Sequence, residues 1–295
     1  MADIVVGIDS SVAAERALDR ALLEAEITQQ PVRLVHAWTS AIWTAGSGMA
    51  FMAPVPISED LQRCAADLLD EALQKALSRR PSANAVTVTT EASEGDPGRE
   101  LTRLSADAAL LVVGGSGHGQ LASALLGSVT SYVLHHAVCP VMVVPDGPPS
   151  QGRGRVIVGV DGSPSSRLAF AWALEAADRL DWPLVALHAW MMANVHVQLP
   201  DSEPRVRSTF EKAIGDWLAE EVARGMDGHA GTEVTQLLPY GPVAGALLDE
   251  AGPDDLLVLG SRGQGGFKRL LLGSVASQCA AHAHGSVVVV KRPSA

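Results

Sequence analysis

The chain alternates between short, almost wholly apolar runs and longer stretches in which Ala and Leu recur at helical spacing. An apolar run at 3–9 precedes an Ala/Leu-rich stretch at about 12–28; a run at 32–38 precedes a longer loop and a second helical stretch at about 58–79. Runs follow at 86–91, 109–114 and 140–145, separated by helical stretches at about 97–105 and 125–136. The second half repeats the apolar runs at 156–161, 184–190, 233–238, 255–261 and 286–291. These runs are nearly continuous in Val, Ile and Leu, the pattern of strands buried on both faces. Five strands interleaved with four helices in each half predict an α/β fold of two tandem, open, parallel five-stranded sheets. Helices cover both faces in a doubly wound, Rossmann-like arrangement with right-handed crossovers.

The two halves are copies of each other. IVVGIDSS at 4–11 returns as IVGVDGS at 157–163, so Asp9 and Asp161 end equivalent strands 152 positions apart, and His36-Ala37-Trp38 returns as His188-Ala189-Trp190 at the same offset. Beyond that the offset is 146: Gly95 matches Gly241, Gly114 matches Gly260, and Gly127-Ser128 matches Gly273-Ser274. A period this long makes each repeat a domain rather than a solenoid unit. The stretch DGPPSQGRG at 146–154 reads as a short linker, which predicts domains at 1–147 and 154–295.

Composition narrows the class. Apolar residues make up 47% of the chain but aromatics only 4%, so the core is aliphatic. A net charge of −11 argues against nucleic acid as a partner. Cys64, Cys139 and Cys279 are odd in number and widely spaced, which fits a reducing compartment and disfavours a zinc or disulfide framework. The N-terminal run is too short and too acidic for a signal peptide, and no stretch reaches the ~18 apolar residues of a membrane span. A cytoplasmic location is the expectation.

The fourth strand of each half ends in glycines. The first copy reads LLVVGGSGHGQLASALLGSV over 110–129 and the second LLVLGSRGQGGFKRLLLGSV over 256–275. Both fit Gly, two residues, Gly, nine residues, Gly-Ser: Gly114, Gly117, Gly127-Ser128 and Gly260, Gly263, Gly273-Ser274. Glycines let a ligand approach main-chain N–H groups, and a helix opened by Gly-Ser offers free N–H groups and a favourable dipole to an anion. The candidate phosphate cradle is therefore Gly114, Gly115, Ser116, Gly117, His118, Gly119 and Gln120 with Gly127, Ser128 and Val129. Its counterpart is Gly260, Ser261, Arg262, Gly263, Gln264, Gly265 and Gly266 with Gly273, Ser274 and Val275. No P-loop GxxxxGK(S/T) is present, and the first strand of each half is not followed by the dinucleotide GxGxxG. Mononucleotide binding of the ATP type, by a different loop, is the reading that remains.

The G-x2-G-x9-G-(S/T) spacing in both halves, the Asp-bearing turn after the first strand and the last strands CPVMVV and GSVVVV together resemble the universal stress protein family. The likeness is to its tandem, ATP-binding form and covers essentially the whole chain. It implies strand order 3-2-1-4-5, a homodimer formed through the last strand, and ATP, with or without Mg2+, at the carboxyl edge of the strands. It also implies that Asp9 and Asp161 lie beside adenine or ribose, with Gly7 and Gly159 behind them and Val35 and Leu187 near the base. A bland role for the two aspartates is capping of the helices that follow.

The copies are unequal in charge. Arg262, Lys268 and Arg269 stand where the first loop has Ser116, Ala122 and Ser123, and only a protonated His118 offers charge there. Charged donors hold phosphate about twice as strongly as neutral ones, so the second site is expected to bind ATP more tightly. Neither loop contains Asp or Glu to hold a catalytic metal. A nucleotide-dependent regulator in stress or growth control, with an unidentified protein partner and at most slow hydrolysis, is favoured over an ATPase or nucleotidyl-transfer enzyme. His36 and His188 read as strand-end packing or hydrogen bonding. The apolar loop 39–56 is compatible with a nucleotide cover, a dimer contact or a partner site.

Overall fold

In a computed structural model, residues 2–39, 58–116, 126–147, 154–191, 204–226, 232–264 and 271–291 are described. They fall into two compact units divided between Asp146 and Gly147. The first contains β1 (Asp3–Gly7), α1 (Val12–Thr28), β2 (Val32–Trp38), α2 (Ser58–Arg79), a 3-10 turn (Pro81–Ala85), β3 (Val88–Glu94), α3 (Pro97–Leu104), β4 (Ala108–Gly114), α4 (Ser128–His136) and β5 (Val141–Val144). The second contains β6 (Val156–Gly159), α5 (Pro164–Leu180), β7 (Leu184–Leu187), α6 (Pro204–Gly225), β8 (Val234–Leu237), α7 (Val243–Glu250), β9 (Leu256–Gly260), α8 (Ser274–His282) and β10 (Ser286–Val290).

Strand order is β3-β2-β1-β4-β5 in the first unit and β8-β7-β6-β9-β10 in the second, with parallel pairing inside each. Order 3-2-1-4-5 thus holds in both. Val6 pairs with Leu34 and Val112, and Ile157 with Val185 and Leu257, so the central strands present aliphatic side chains to both faces. In each unit the first two helices pack on one another (α1 with α2, α5 with α6), and the last two do likewise (α3 with α4, α7 with α8).

Helix α1 buries Ala13, Ala14, Ala17, Leu18, Ala21, Leu22 and Ala25, and α5 buries Ala169, Phe170, Ala173, Leu174 and Ala177. These follow the helical repeat, so each helix turns one apolar stripe to its sheet. Full burial of Leu18 or Leu22 contributes about 1.5–3 kcal/mol each. Alanine between the leucines lets the helix axis approach the strands closely. Gly114 and Gly260 complete that approach. A Cβ on Gly114 would stand 2.6 Å from Ala13 Cβ, and one on Gly260 would stand 2.6 Å from the Ser165 carbonyl carbon. Both glycines are therefore required by helix packing, whatever else they do.

The edge strands depart from the apolar pattern. The pattern places β3 at 86–91, but the strand runs from Val88 through Thr, Glu and Ser to Glu94, because its ladder to β2 continues to the Trp38–Glu94 pair. Backbone pairing defines the strand here, and an edge strand meets water on one side, so polar residues fit. Helix α4 begins at Ser128, three residues later than the pattern suggests, because Gly127 is its N-cap. Among the described residues no helix is long and apolar enough to cross a membrane.

Candidate functional site

The sheet order puts β1 beside β4 and β6 beside β9, so each Asp-bearing turn lies next to a glycine loop at the carboxyl ends of the strands. This is the switch point of a doubly wound sheet, where ligands enter.

The second unit shows the arrangement most fully. Asp161 Oδ1 accepts from Ser163 N–H at 2.9 Å, and Oδ2 accepts from Gln264 N–H at 2.9 Å. The Gln264 amide Nε2 donates to the Asp161 carbonyl at 2.7 Å, while Ser163 Oγ donates to the Arg262 carbonyl at 3.3 Å. The turn after β6 and the loop after β9 are thus stitched together. Gly263 is compelled by this contact, since a Cβ there would lie 2.6 Å from Asp161 Oδ2. Burial opposes ionisation of Asp161, but hydrogen bonds from Ser163, Gln264 and Ser166 outweigh it and hold the carboxyl below its usual range. An ionised carboxylate has about four acceptor positions, so these partners leave capacity for further donors such as hydroxyls.

Capping by the two aspartates is not what the structure contains. The N-caps are Ser11, whose side chain accepts from Ala14 N–H, and Ser163, whose side chain accepts from Ser166 N–H. Each aspartate braces its capping serine instead: Asp9 Oδ1 accepts from both the N–H (3.0 Å) and Oγ (2.5 Å) of Ser11. The sequence places Asp and Ser two residues apart, and only the φ,ψ of the turn decides which of them caps.

Helices α4 and α8 start differently. Their N-caps are Gly127 and Gly273, and neither receives a side-chain cap. Gly127 N–H donates to Gly115 O at 2.9 Å and Gly273 N–H to Ser261 O at 2.8 Å, which ties each helix start to the end of its strand. A Cβ on Gly273 would meet nothing nearer than 3.5 Å, ordinary contact, and its φ of −78° suits any residue. No packing among the described residues requires glycine there, although Ser, Thr, Asn and Asp cap far better than a bare helix start. The hydroxyl-bearing residues that follow, Ser128 and Ser274, are exposed, and Val129 and Val275 are half-buried.

Other expected residues take mixed places. Gly7 and Gly159 lie under Leu101 and Leu259, each of which would crowd an added Cβ at 2.8 Å. Val35 and Leu187 pair with them in register, and both are buried at 1% exposure. Gly115 has no steric need of glycine, and Ser261 stands buried at the equivalent position. Ser116 donates to Asp146 Oδ2 at 2.6 Å. Arg262 is half-buried, and its guanidinium makes no ion pair among the described residues. Gly117, His118, Gly119, Gln120, Ala122 and Ser123, with Gly265, Gly266, Lys268 and Arg269, lie outside the described residues, as does the 40–56 part of the apolar loop.

His36 and His188 have the strand-end role expected of them. Their Nδ1–H groups donate to Ile8 O and Val160 O, both at 2.7 Å, and so hold the carbonyl just before each aspartate. Two contributors, Thr130 and Trp217, carry no signal in the sequence, and Gln264, expected in the phosphate cradle, has a further role as a partner of Asp161. Thr130 Oγ1 donates to Gly114 O at 2.6 Å from inside the unit. Gln264 enters through its backbone and side chain together. Trp217 of α6, far away in sequence, reaches the Asp161 turn, its ring edge 2.9 Å from where a Cβ on Gly162 would be.

Known proteins agree with this architecture. The family model described as "Universal stress protein family" matches residues 1–145 and again 152–291. A universal stress protein of Mycobacterium tuberculosis is 35% identical over 295 residues, covering 98% of this chain and 96% of that protein. One of Mycolicibacterium smegmatis is 34% identical over 298 residues, covering 98% and 96%. The crystal structure of a universal stress protein from Archaeoglobus fulgidus superposes with a TM-score of 0.67 at 19% identity, covering 98% of both chains. With the repeat, the strand order and the paired glycine loops, these matches place the chain in the universal stress protein family, in its tandem two-domain form.

Proposed function

We propose that this chain is an ATP-binding regulator of stress response or growth control, acting in the cytoplasm as a homodimer and carrying one nucleotide site in each unit. The observation that carries the reading is the start of α8. Among the described residues it has a glycine N-cap that packing does not require, no side-chain cap, and an arginine two residues beyond β9 without an ion-pair partner. Uncapped N–H groups at a helix start and a neighbouring guanidinium are the donors an anionic phosphate takes. The braced Asp161 carboxylate at the other side of the switch point supplies acceptors for sugar hydroxyls. Charge favours the second unit as the tighter site, since Ser116 stands at the place of Arg262 and is engaged with Asp146.

Phosphoryl transfer needs an acid to hold a metal beside the phosphates, and the glycine loops contain none. Hydrolysis is accordingly slow or absent, and occupancy rather than turnover is the signal. Release and identification of small molecules that copurify with the chain tests the reading. The expected result is an adenine nucleotide, with ATP rebinding after its removal. Absence of any bound nucleotide, together with no heat of binding for ATP, overturns it. Turnover above about 1 s⁻¹ replaces it with an ATPase.

A further inference from the structure

The two units differ at a pair of positions that face each other across the candidate site. Helices α2 and α6 correspond residue for residue at an offset of 146, so Glu71 stands where the second unit has Trp217. At an offset of 152, Ser10 stands where it has Gly162. Both turn residues are in the left-handed region, Ser10 at φ 63° and Gly162 at φ 75°. Left-handed backbone is therefore not what demands glycine in the second unit, because the first holds a serine in the same conformation. The indole demands it: a Cβ on Gly162 would lie 2.9 Å from Trp217 Cζ2. Glu71 makes no such demand; it is exposed and pairs with Lys75 at 2.7 Å.

Trp217 is held in place but not consumed by the core. Its ring meets the His188 imidazole edge-on at 4.7 Å between centroids, and His188 is itself fixed by its hydrogen bond to Val160 O. The sheet-facing residues of α6 are Leu218 and Val222, at 0% and 6% exposure, whereas Trp217 is half-exposed. Gln264 Nε2 would lie 3.2 Å from the same Cβ added to Gly162, so indole, Asp161 turn and glycine loop converge on one spot.

We infer that Trp217 is a base-recognising wall of the second site, a ring against which the planar base of the nucleotide packs, and that the first site lacks it. The inference rests on the nucleotide reading proposed for this site. It makes the units differ twice over: Arg262 strengthens the phosphate end and Trp217 the base end. Aromatic stacking on a base is a recurrent and substantial source of affinity.

Calorimetric titration of the full chain with ATP and, separately, with inorganic tripolyphosphate tests it. Trp217→Leu is expected to weaken ATP at the tighter site about tenfold while leaving tripolyphosphate unchanged, and Trp217→Phe to recover most of the loss. Wild-type ATP affinity in Trp217→Leu, or an equal loss for both ligands, overturns it. Should Trp217→Leu unfold by circular dichroism, Gly162→Ser decides: its side chain displaces the ring, and the same selective loss is expected, with unchanged ATP affinity overturning the inference. A wild-type chain that binds no ATP overturns the nucleotide reading as well, an outcome distinct from a wild type that binds and a variant that does not differ.

Discussion

The turns after β1 and β6 begin from almost the same residues and end in different states. In the first, Asp9 is exposed and gathers Ser11 onto one carboxylate oxygen. In the second, Asp161 is half-buried, and its two oxygens divide between Ser163 of its own turn and Gln264 of the glycine loop. The capping serine follows suit, with Ser163 buried and tied to Arg262 O. The second turn is thus a clasp between two loops. Residues the motif does not contain close around it: Arg262 and Gln264 of the glycine loop and Trp217 of α6.

The largest effect should come from the glycine common to both units. Gly260→Ala drives a methyl into the backbone of α5, where the Ser165 carbonyl carbon and oxygen stand at 2.6 and 2.7 Å. Overpacking against backbone costs about 3 kcal/mol, read as a lower urea midpoint for the second unit. A loss below about 0.5 kcal/mol would show that the helix yields freely and that Gly260 is there for the ligand.

A smaller effect separates the two serines. Ser11→Ala removes a cap and a solvent-exposed bond to Asp9 Oδ1 that water replaces, and should cost about 1 kcal/mol. Ser163→Ala removes a cap and the bond to Arg262 O, so about 2 kcal/mol is expected. Equal losses in matched denaturation curves would contradict the clasp.

Acid distinguishes the clasp further. The folded pKa of Asp161 is depressed, so its contribution is complete above the unfolded value of about 3.9 and is lost as pH falls through the folded value. The second unit should therefore lose stability in that acid range, and Asp161→Asn should flatten this part of the stability-against-pH curve. An unaltered curve in the variant would show that the Gln264 contact contributes nothing.

Much of the fold is legible in the sequence because its strands are continuous apolar runs and its helices carry regular Ala/Leu stripes. The repeat then doubles each signal. Strand order, by contrast, leaves no trace in periodicity and is legible only through family resemblance. The edge strand β3 is misplaced by its apolar residues because pairing rather than hydrophobicity sets its extent. At the site the glycine spacing is readable, but the reason for each glycine is not. Gly114, Gly260 and Gly263 answer to a helix or a carboxylate, whereas Gly115 and Gly273 meet no such demand among the described residues. That distinction depends on distances across the fold. Trp217 is hidden for the same reason: it stands in a helix with ordinary helical neighbours, and only packing brings it to the Asp161 turn.

Gly273→Ala tests the central claim most directly, because it separates ligand from fold. The nearest atoms to the new methyl are 3.5 Å away, so the variant should lose no more than about 1 kcal/mol of stability. In a calorimetric titration of the full chain with ATP, the wild type should show a tighter and a weaker phase, and Gly273→Ala should lose the tighter one. A variant that stays folded and keeps the tighter phase at wild-type affinity would contradict a phosphate site at the start of α8.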